Sequence, residues 1–183
     1  MNFIKNKKIF IGVATAFLLV VIFTAVKIWP IKTVVIHGDT TESFHTVEEL
    51  KENSNFIAKI HSTETNSFEY EGVVFTVTKA TIEEVFKGSL TAGDDINILE
   101  TGGIDNFVNY TYEGNEVFKK NQTAYVFLDK YEGPVTENAY VIKGVYQGKF
   151  IENEAGKLQL PKELTGEITE IKSTDDLKLS AEQ

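Results

Sequence analysis

Between Gly72 and Gly103 the chain (GVVFTVTKATIEEVFKGSLTAGDDINILETGG) carries a pattern that points to one kind of structure. Val73, Phe75 and Val77 alternate with Val74, Thr76 and Thr78, a period of two in β-branched and aromatic residues. Branched side chains are stiff about χ1 and pack well on a pleated surface, so this spacing predicts a strand. The pattern resumes at Ile82, Val85 and Phe86 after a polar break at Lys79–Thr81, where a bulge would bend the strand without ending it. Lys87-Gly88-Ser89 and Ala92-Gly93-Asp94-Asp95 supply turns, and Ile96, Ile98 and Leu99 form the return strand. Gly102-Gly103 closes the stretch, implying backbone with φ > 0 or close packing of the next segment.

The flanks add elements around these two strands. Thr46-Val47-Glu48-Glu49 matches a capping box and opens a helix of about two turns. Phe56–His61 alternates as a first strand, and Ser62–Ser67 reads as a polar loop into the central stretch. Ile104–Asn121, with Phe107, Tyr110, Tyr112 and Phe118 among Asp and Asn, reads as one long aromatic loop, a length that favours function. Ala124–Leu128 and Ala139–Val145 are further strands, and Phe150-Ile151 with Leu158–Leu160 makes a last hairpin. From Lys162 the apolar content falls, so 162–183 is expected to be a weakly ordered tail. With so few strands, closure into a small barrel is the expected answer to unpaired edges.

Ahead of this domain, Ile9–Val26 is a run without a charge, and Ile28-Trp29 extends it past Lys27. At about 1.5 Å per residue, Ile9–Trp29 reaches roughly 31 Å, the thickness of a bilayer's hydrocarbon core. Trp29 suits the membrane interface, and Pro30 ends a helix. A cleaved signal peptide has a shorter apolar region and a small-x-small site, which Thr24-Ala25-Val26-Lys27 does not offer. Residues 1–29 are therefore expected to be an uncleaved transmembrane anchor and 30–45 a stalk. Lys5, Lys7 and Lys8 precede the run with no acid among them, which places the N-terminus in the cytoplasm and the domain outside the cell.

The outer part carries fourteen lysines against all 27 acidic residues, a formal net charge of −13, which repels nucleic acid and anionic lipid. The chain has no cysteine, so the domain is held by its core and not by disulfides, and cysteine catalysis is excluded. Its basic residues are all lysine, beside abundant Asn and Ile, a bias associated with AT-rich bacterial genomes. His37, His45 and His61 stand in no zinc-binding spacing, and no G-x-S-x-G is present. Glu48-Glu49 and Glu83-Glu84 are sequence neighbours and point apart. No catalytic residue, metal ligand or cofactor is expected.

Glu49–Ile60 (ELKENSNFIAKI), Ile82–Leu90 (IEEVFKGSL), Gly93–Gly103 (GDDINILETGG) and Ala124–Leu128 (AYVFL) resemble a group of membrane-anchored bacterial surface proteins. The same order of elements, over roughly Thr46–Val145, is similar to the netrin-like module of tissue inhibitors of metalloproteinases, an OB-type barrel. Glu84–Gly88 is its most specific part. The chain departs from that pattern in lacking the disulfide cysteines and the N-terminal cysteine that chelates zinc.

The expected architecture is mainly β: a transmembrane helix, then an OB-like barrel of five to seven strands with one short helix over 46–161. The expected function is a cell-surface, non-catalytic binding module for a protein or envelope ligand. Gly102, Gly103, Asp105, Phe107, Tyr110 and Tyr112 would form its partner-binding loop. The alternatives are a structural or assembly accessory of a membrane complex, or an envelope hydrolase. The topology is tested with cysteines introduced at Asn2 and at Thr65 in intact cells. Only the second should react with a membrane-impermeant reagent; equal labelling would refute the orientation.

Overall fold

The computed structural model describes residues 32–38 and 42–180. The expected membrane anchor at 1–29 lies outside them, and among the described residues no helix is long and apolar enough to cross a membrane. The described fold is mainly β, with one α-helix and a small barrel.

The strands are β1 (Lys32–Ile36), β2 (Phe56–Tyr70), β3 (Val73–Lys87), β4 (Asp95–Thr101), β5 (Gly103–Asp105), β6 (Val108–Tyr112), β7 (Thr123–Lys130), β8 (Ala139–Ile142), β9 (Lys149–Glu152) and β10 (Leu158–Gln159). Helix α1 (Val47–Asn53) begins as its sequence predicts. The Thr46 hydroxyl accepts from the Glu49 N–H at 3.1 Å and the Glu49 carboxylate accepts from the Thr46 N–H at 3.3 Å.

Five strands close into a ring. β7 pairs with β2, β2 with β3, β3 with β4, β4 in parallel with β8, and β8 returns to β7. The second edge of β7 is shared, with Leu128–Lys130 facing β8 and Thr123–Val126 facing β9. Inside the ring sit Ala58 and Ile60 from β2, Ala80 and Ile82 from β3, Ile96 and Ile98 from β4, with Ala124, Val126 and Leu128 from β7. Tyr125 and Phe127 point the other way, into a second cluster with Val47 and Leu50 of α1 and Phe150 of β9. Strand β7 is thus covered on both faces, which is why its sequence is continuously apolar where a half-exposed strand would alternate.

Four regions differ from expectation. The polar Ser62–Ser67 stretch is no loop; β2 runs through it to a two-residue turn at Glu71-Gly72, both with φ > 0, as the tight turns of twisted hairpins require. The bulge expected at Lys79–Thr81 is carried by the partner strand, where Thr63 of β2 is the extra residue opposite Lys79 and Ala80, and two further register breaks fall at Glu83 and Phe86 of β3. These bend the long pair around the barrel. Ile104–Asn121 is not one loop, because β5 and β6 form a hairpin that joins β1 in a separate three-stranded sheet, order β1-β6-β5. Those short strands bring the described total to ten, while the barrel ring itself has five strands, within the five to seven expected of it.

The fourth difference is at the ends. Phe44, in the expected stalk, is buried, and so are Ile168, Ile171 and Leu177, in the expected tail. They close the outer core over α1 and β9, with Ile168 and Leu177 carried on two 3-10 turns at Glu167–Glu170 and Thr174–Leu177 and Ile171 just after the first. Falling average hydropathy hid them, since a few well-placed aliphatic residues suffice to cover a patch that already exists.

Truncating Phe127, which is fully buried and edge-on to Phe150 at 5.7 Å, should lower unfolding free energy by about 3–5 kcal/mol in denaturant titration. Ile168→Ala should cost about 2–5 kcal/mol in the same assay, whereas a frayed tail would give no measurable change.

Candidate binding cleft

β2 and β3 outrun the barrel. β7 accompanies β2 only over Phe56–His61, so the far halves of β2 and β3 form an arm that β4 flanks on one side as far as Phe75. Hydroxyls on this arm hold the chain that leaves β4. The Thr76 hydroxyl donates to the Gly102 carbonyl at 2.8 Å. Its single proton being used there, Thr76 accepts from Ser67 at 2.8 Å, and Ser67 accepts from the Ile104 N–H at 3.2 Å.

The glycines belong to this close approach. Gly102 and Gly103 have φ of +113° and +125°. A Cβ on Gly102 would lie 2.6 Å from the Tyr110 carbonyl oxygen, and one on Gly103 would strike the Thr76 and Ser67 hydroxyls. Both reasons the sequence suggested for paired glycines hold.

Beyond them, β5 and β6 turn through Asn106 and Phe107, with φ of +46° and +64°. A bulky residue rarely adopts that region, where glycine normally stands, and the strain is on the order of 1–3 kcal/mol. The turn leaves Phe107 45% exposed.

Opposite the hairpin runs the segment 116–120, pinned from beneath by a buried ion pair. β4 extends past β8 at Glu100, where its pairing with β8 has stopped. There Lys149 of β9 crosses the open seam, its Nζ 2.6 Å from Glu100 Oε1, with both side chains only 5–6% exposed. The same ammonium donates to the Glu116 carbonyl at 2.6 Å and lies 4.9 Å over the Phe118 ring, while Glu100 Oε2 accepts from the Phe118 N–H at 2.8 Å.

Arm, hairpin and pinned segment enclose a cleft of about 550 Å³. Thr65, Ser67 and Thr76 line it from the arm, Ile104 and Asn109 from the hairpin, and Glu116 to Lys120 from the segment. Lys119 pairs with Glu116 at 2.5 Å, and both are half or more exposed. Among the described residues, no three His, Asp or Glu side chains are grouped to hold a metal ion.

No family model, curated protein or solved structure matches the chain.

The six residues singled out from sequence fall around this cleft without lining it. Gly102 and Gly103 form its buried hinge. Ile104 and Asn109 are cross-strand partners, so the flanking pairs Gly103–Tyr110 and Asp105–Val108 face the other side of the hairpin. Asp105 accepts from the Asn106 amide at 2.8 Å, and Tyr110 is half-buried. Tyr112 packs its ring 6.2 Å from Tyr146. Phe118, read as a loop aromatic, is buried against the barrel interior. The sequence signal for the seam was a charge inside an apolar run: Glu100 ends INILE and Lys149 precedes Phe150-Ile151.

The far end of the hairpin is clamped to β1. Glu113 accepts from His37 Nδ1 at 2.8 Å and from the Gly38 N–H at 3.1 Å. These contacts, His37 first, hold its carboxyl below the usual range. A carboxyl lowered in the folded state stabilises above its unfolded pKa, and that contribution is lost as pH falls through the folded value. The Glu113 contribution is therefore fully present at neutral pH and is lost in acid.

Replacing Lys149 by Met would strand the Glu100 carboxylate in the seam. The expected loss is about 3–5 kcal/mol by chemical denaturation, with most of it restored in the Lys149→Met/Glu100→Leu double variant. A single-variant loss under about 1 kcal/mol would contradict a buried pair.

Proposed function

We infer that the chain is a membrane-anchored, non-catalytic binding module whose OB-like barrel presents the 550 Å³ cleft to a protein or cell-envelope ligand. The observation that carries this reading is the composition of the cleft. Hydroxyl and amide groups on Thr65 and Asn109, apolar Ile104 and Val117, and the exposed Lys119 and Lys120 converge on one concavity. Sites of that kind orient a ligand through a few polar groups set in an apolar wall.

The ring order supports the OB-like reading. Numbered along the ring-forming strands alone, β2, β3, β4, β7 and β8 pair as 4-1-2-3-5, with the fifth parallel to the third and returning to the fourth. OB barrels are five-stranded, partly open and bind on the face of their second and third strands. The cleft lies against the second, β3, through Thr76. The hydrolase alternative draws less support, because the acids that share a pocket at the barrel seam are engaged by lysine. Glu42 and Asp129 both pair with Lys143, at 2.9 and 2.8 Å, and Glu100 pairs with Lys149. Burial works against the Lys143 charge, but these two carboxylates outweigh it and hold its pKa above the ordinary value.

The reading is tested by capturing envelope proteins and glycans on the full-length protein in detergent. Ile104→Glu and Lys120→Glu, both at exposed positions, should abolish capture with the melting temperature unchanged. Tyr112→Ala should instead lower the melting temperature by several degrees, as a loss of about 1–2 kcal/mol does in a domain of this size, and leave capture intact. The opposite pattern, with binding lost only at Tyr112, would move the site to the other face of the hairpin.

A further inference from the structure

The turn at Asn106-Phe107 stands beside the place where the chain enters the described domain. β1 runs parallel to β6, and its first residue, Lys32, is the partner of Val108. Adjacent strands lie about 4.8 Å apart, so the backbone of Lys32 is one strand spacing from the residue after Phe107. Only Pro30 and Ile31 separate Lys32 from Trp29, the end of the apolar run. Three residue steps span at most about 11 Å. A domain tied this closely to a membrane-spanning segment keeps the Asn106-Phe107 end of its small sheet at the depth of the lipid headgroups.

At that end the chain holds a bulky aromatic residue in strained backbone and leaves its ring 45% exposed. Glycine would relieve the strain, and a polar residue would remove the exposed apolar surface. Neither is used. An aromatic ring at a bilayer interface loses that contact with water, and the exposed Lys32 beside it suits anionic headgroups.

We propose that Phe107 is a second membrane contact, a wedge seated in the lipid interface next to the anchor. The inference rests on the anchor reading of residues 1–29. Two attachment points remove the freedom of the domain to swing on a single tether. They also fix the cleft, which opens on the side of the hairpin marked by Ile104 and Asn109, at a constant height above the bilayer. The net negative charge of the domain, to which Asp105 beside the turn also contributes, disfavours a broad contact with anionic lipid, so the contact is limited to the Phe107 ring and Lys32.

The test uses the full-length protein in vesicles of phosphatidylcholine and phosphatidylglycerol, with acyl chains either unbrominated or brominated. Trp29 is the sole tryptophan, so Phe107→Trp and Val73→Trp are each made in a Trp29→Phe background. Val73 is the control, 38% exposed at the tip of the β2–β3 arm. The expected result is a blue-shifted emission quenched by bromolipid in the Phe107→Trp variant, with neither effect in the Val73→Trp variant. A blue shift without quenching assigns the turn to a protein contact and overturns the proposal, as does quenching equal at both positions. Protein that fails to float with the vesicles removes the anchor reading and the proposal together. Bound Phe107→Trp protein with unquenched emission removes the proposal alone. Because the chain has no cysteine, Asn106→Cys carrying a spin label gives a second reading should Phe107→Trp misfold. Greater accessibility to oxygen than to a water-soluble nickel chelate supports the wedge, and the reverse overturns it.

Discussion

Past the short β4–β8 ladder that completes the ring, the barrel's remaining gap is spanned by an ion pair where further strand pairing would otherwise stand. β8 spans four residues, too few to follow β4 to its end, and Lys149 reaches Glu100 across the gap. An ammonium and a carboxylate both withdrawn from water are tolerable only when each is fully engaged. Here the remaining capacity of each is spent on one segment, the Glu116 carbonyl and the Phe118 N–H. The pair therefore holds the seam shut, plugs the barrel with Phe118 and sets the far wall of the cleft. The cleft wall and the closure share a residue pair, so that wall cannot be loosened without opening the core.

The cleft's near wall depends on a different constraint, the absence of side chains at Gly102 and Gly103. Their left-handed backbone lets the chain turn off β4 and run flush against the arm, within reach of Thr76 and Ser67. Any larger residue would push the β5–β6 hairpin outward and widen the gap to the pinned segment. The dimensions of the cavity thus follow from two local facts, one electrostatic and one steric, on opposite sides of it.

The parts of the fold legible in the sequence are those where one physical rule acted alone. The alternation from Val73 to Val77 marked the arm of β3, Thr46 and Glu49 marked the start of α1, and the apolar run Ala124–Leu128 marked a strand buried on both faces. The hairpin β5–β6 was not legible, since Tyr110 and Tyr112 alternate among polar residues and find their partner in β1, far away in sequence. The hydroxyl-rich end of β2 is hidden in the sequence for a related reason. Ser62 and Ser67 look like loop residues, yet their hydroxyls bond to the Lys119 carbonyl and to Thr76. The candidate site was legible as a region and not as a surface: the aromatics drew attention to the hairpin, while the cleft is lined by threonine, serine, isoleucine and lysine, which carry no periodic signal.

The parallel pairing of β1 with β6 has a consequence for the order of assembly. His37 and Glu113, which fasten that pair, stand 76 positions apart. A chain made from its N-terminus presents β1 long before β6 exists, and every ladder bond of β1 is to β6. During that interval β1 is an unclaimed strand with a valine-rich sequence, open to pairing with whatever edge is nearest. The ring of β2, β3, β4, β7 and β8 needs nothing from it and can close first. β1 is then the last piece laid down and, by the same count of partners, the first to be released when the protein is stressed.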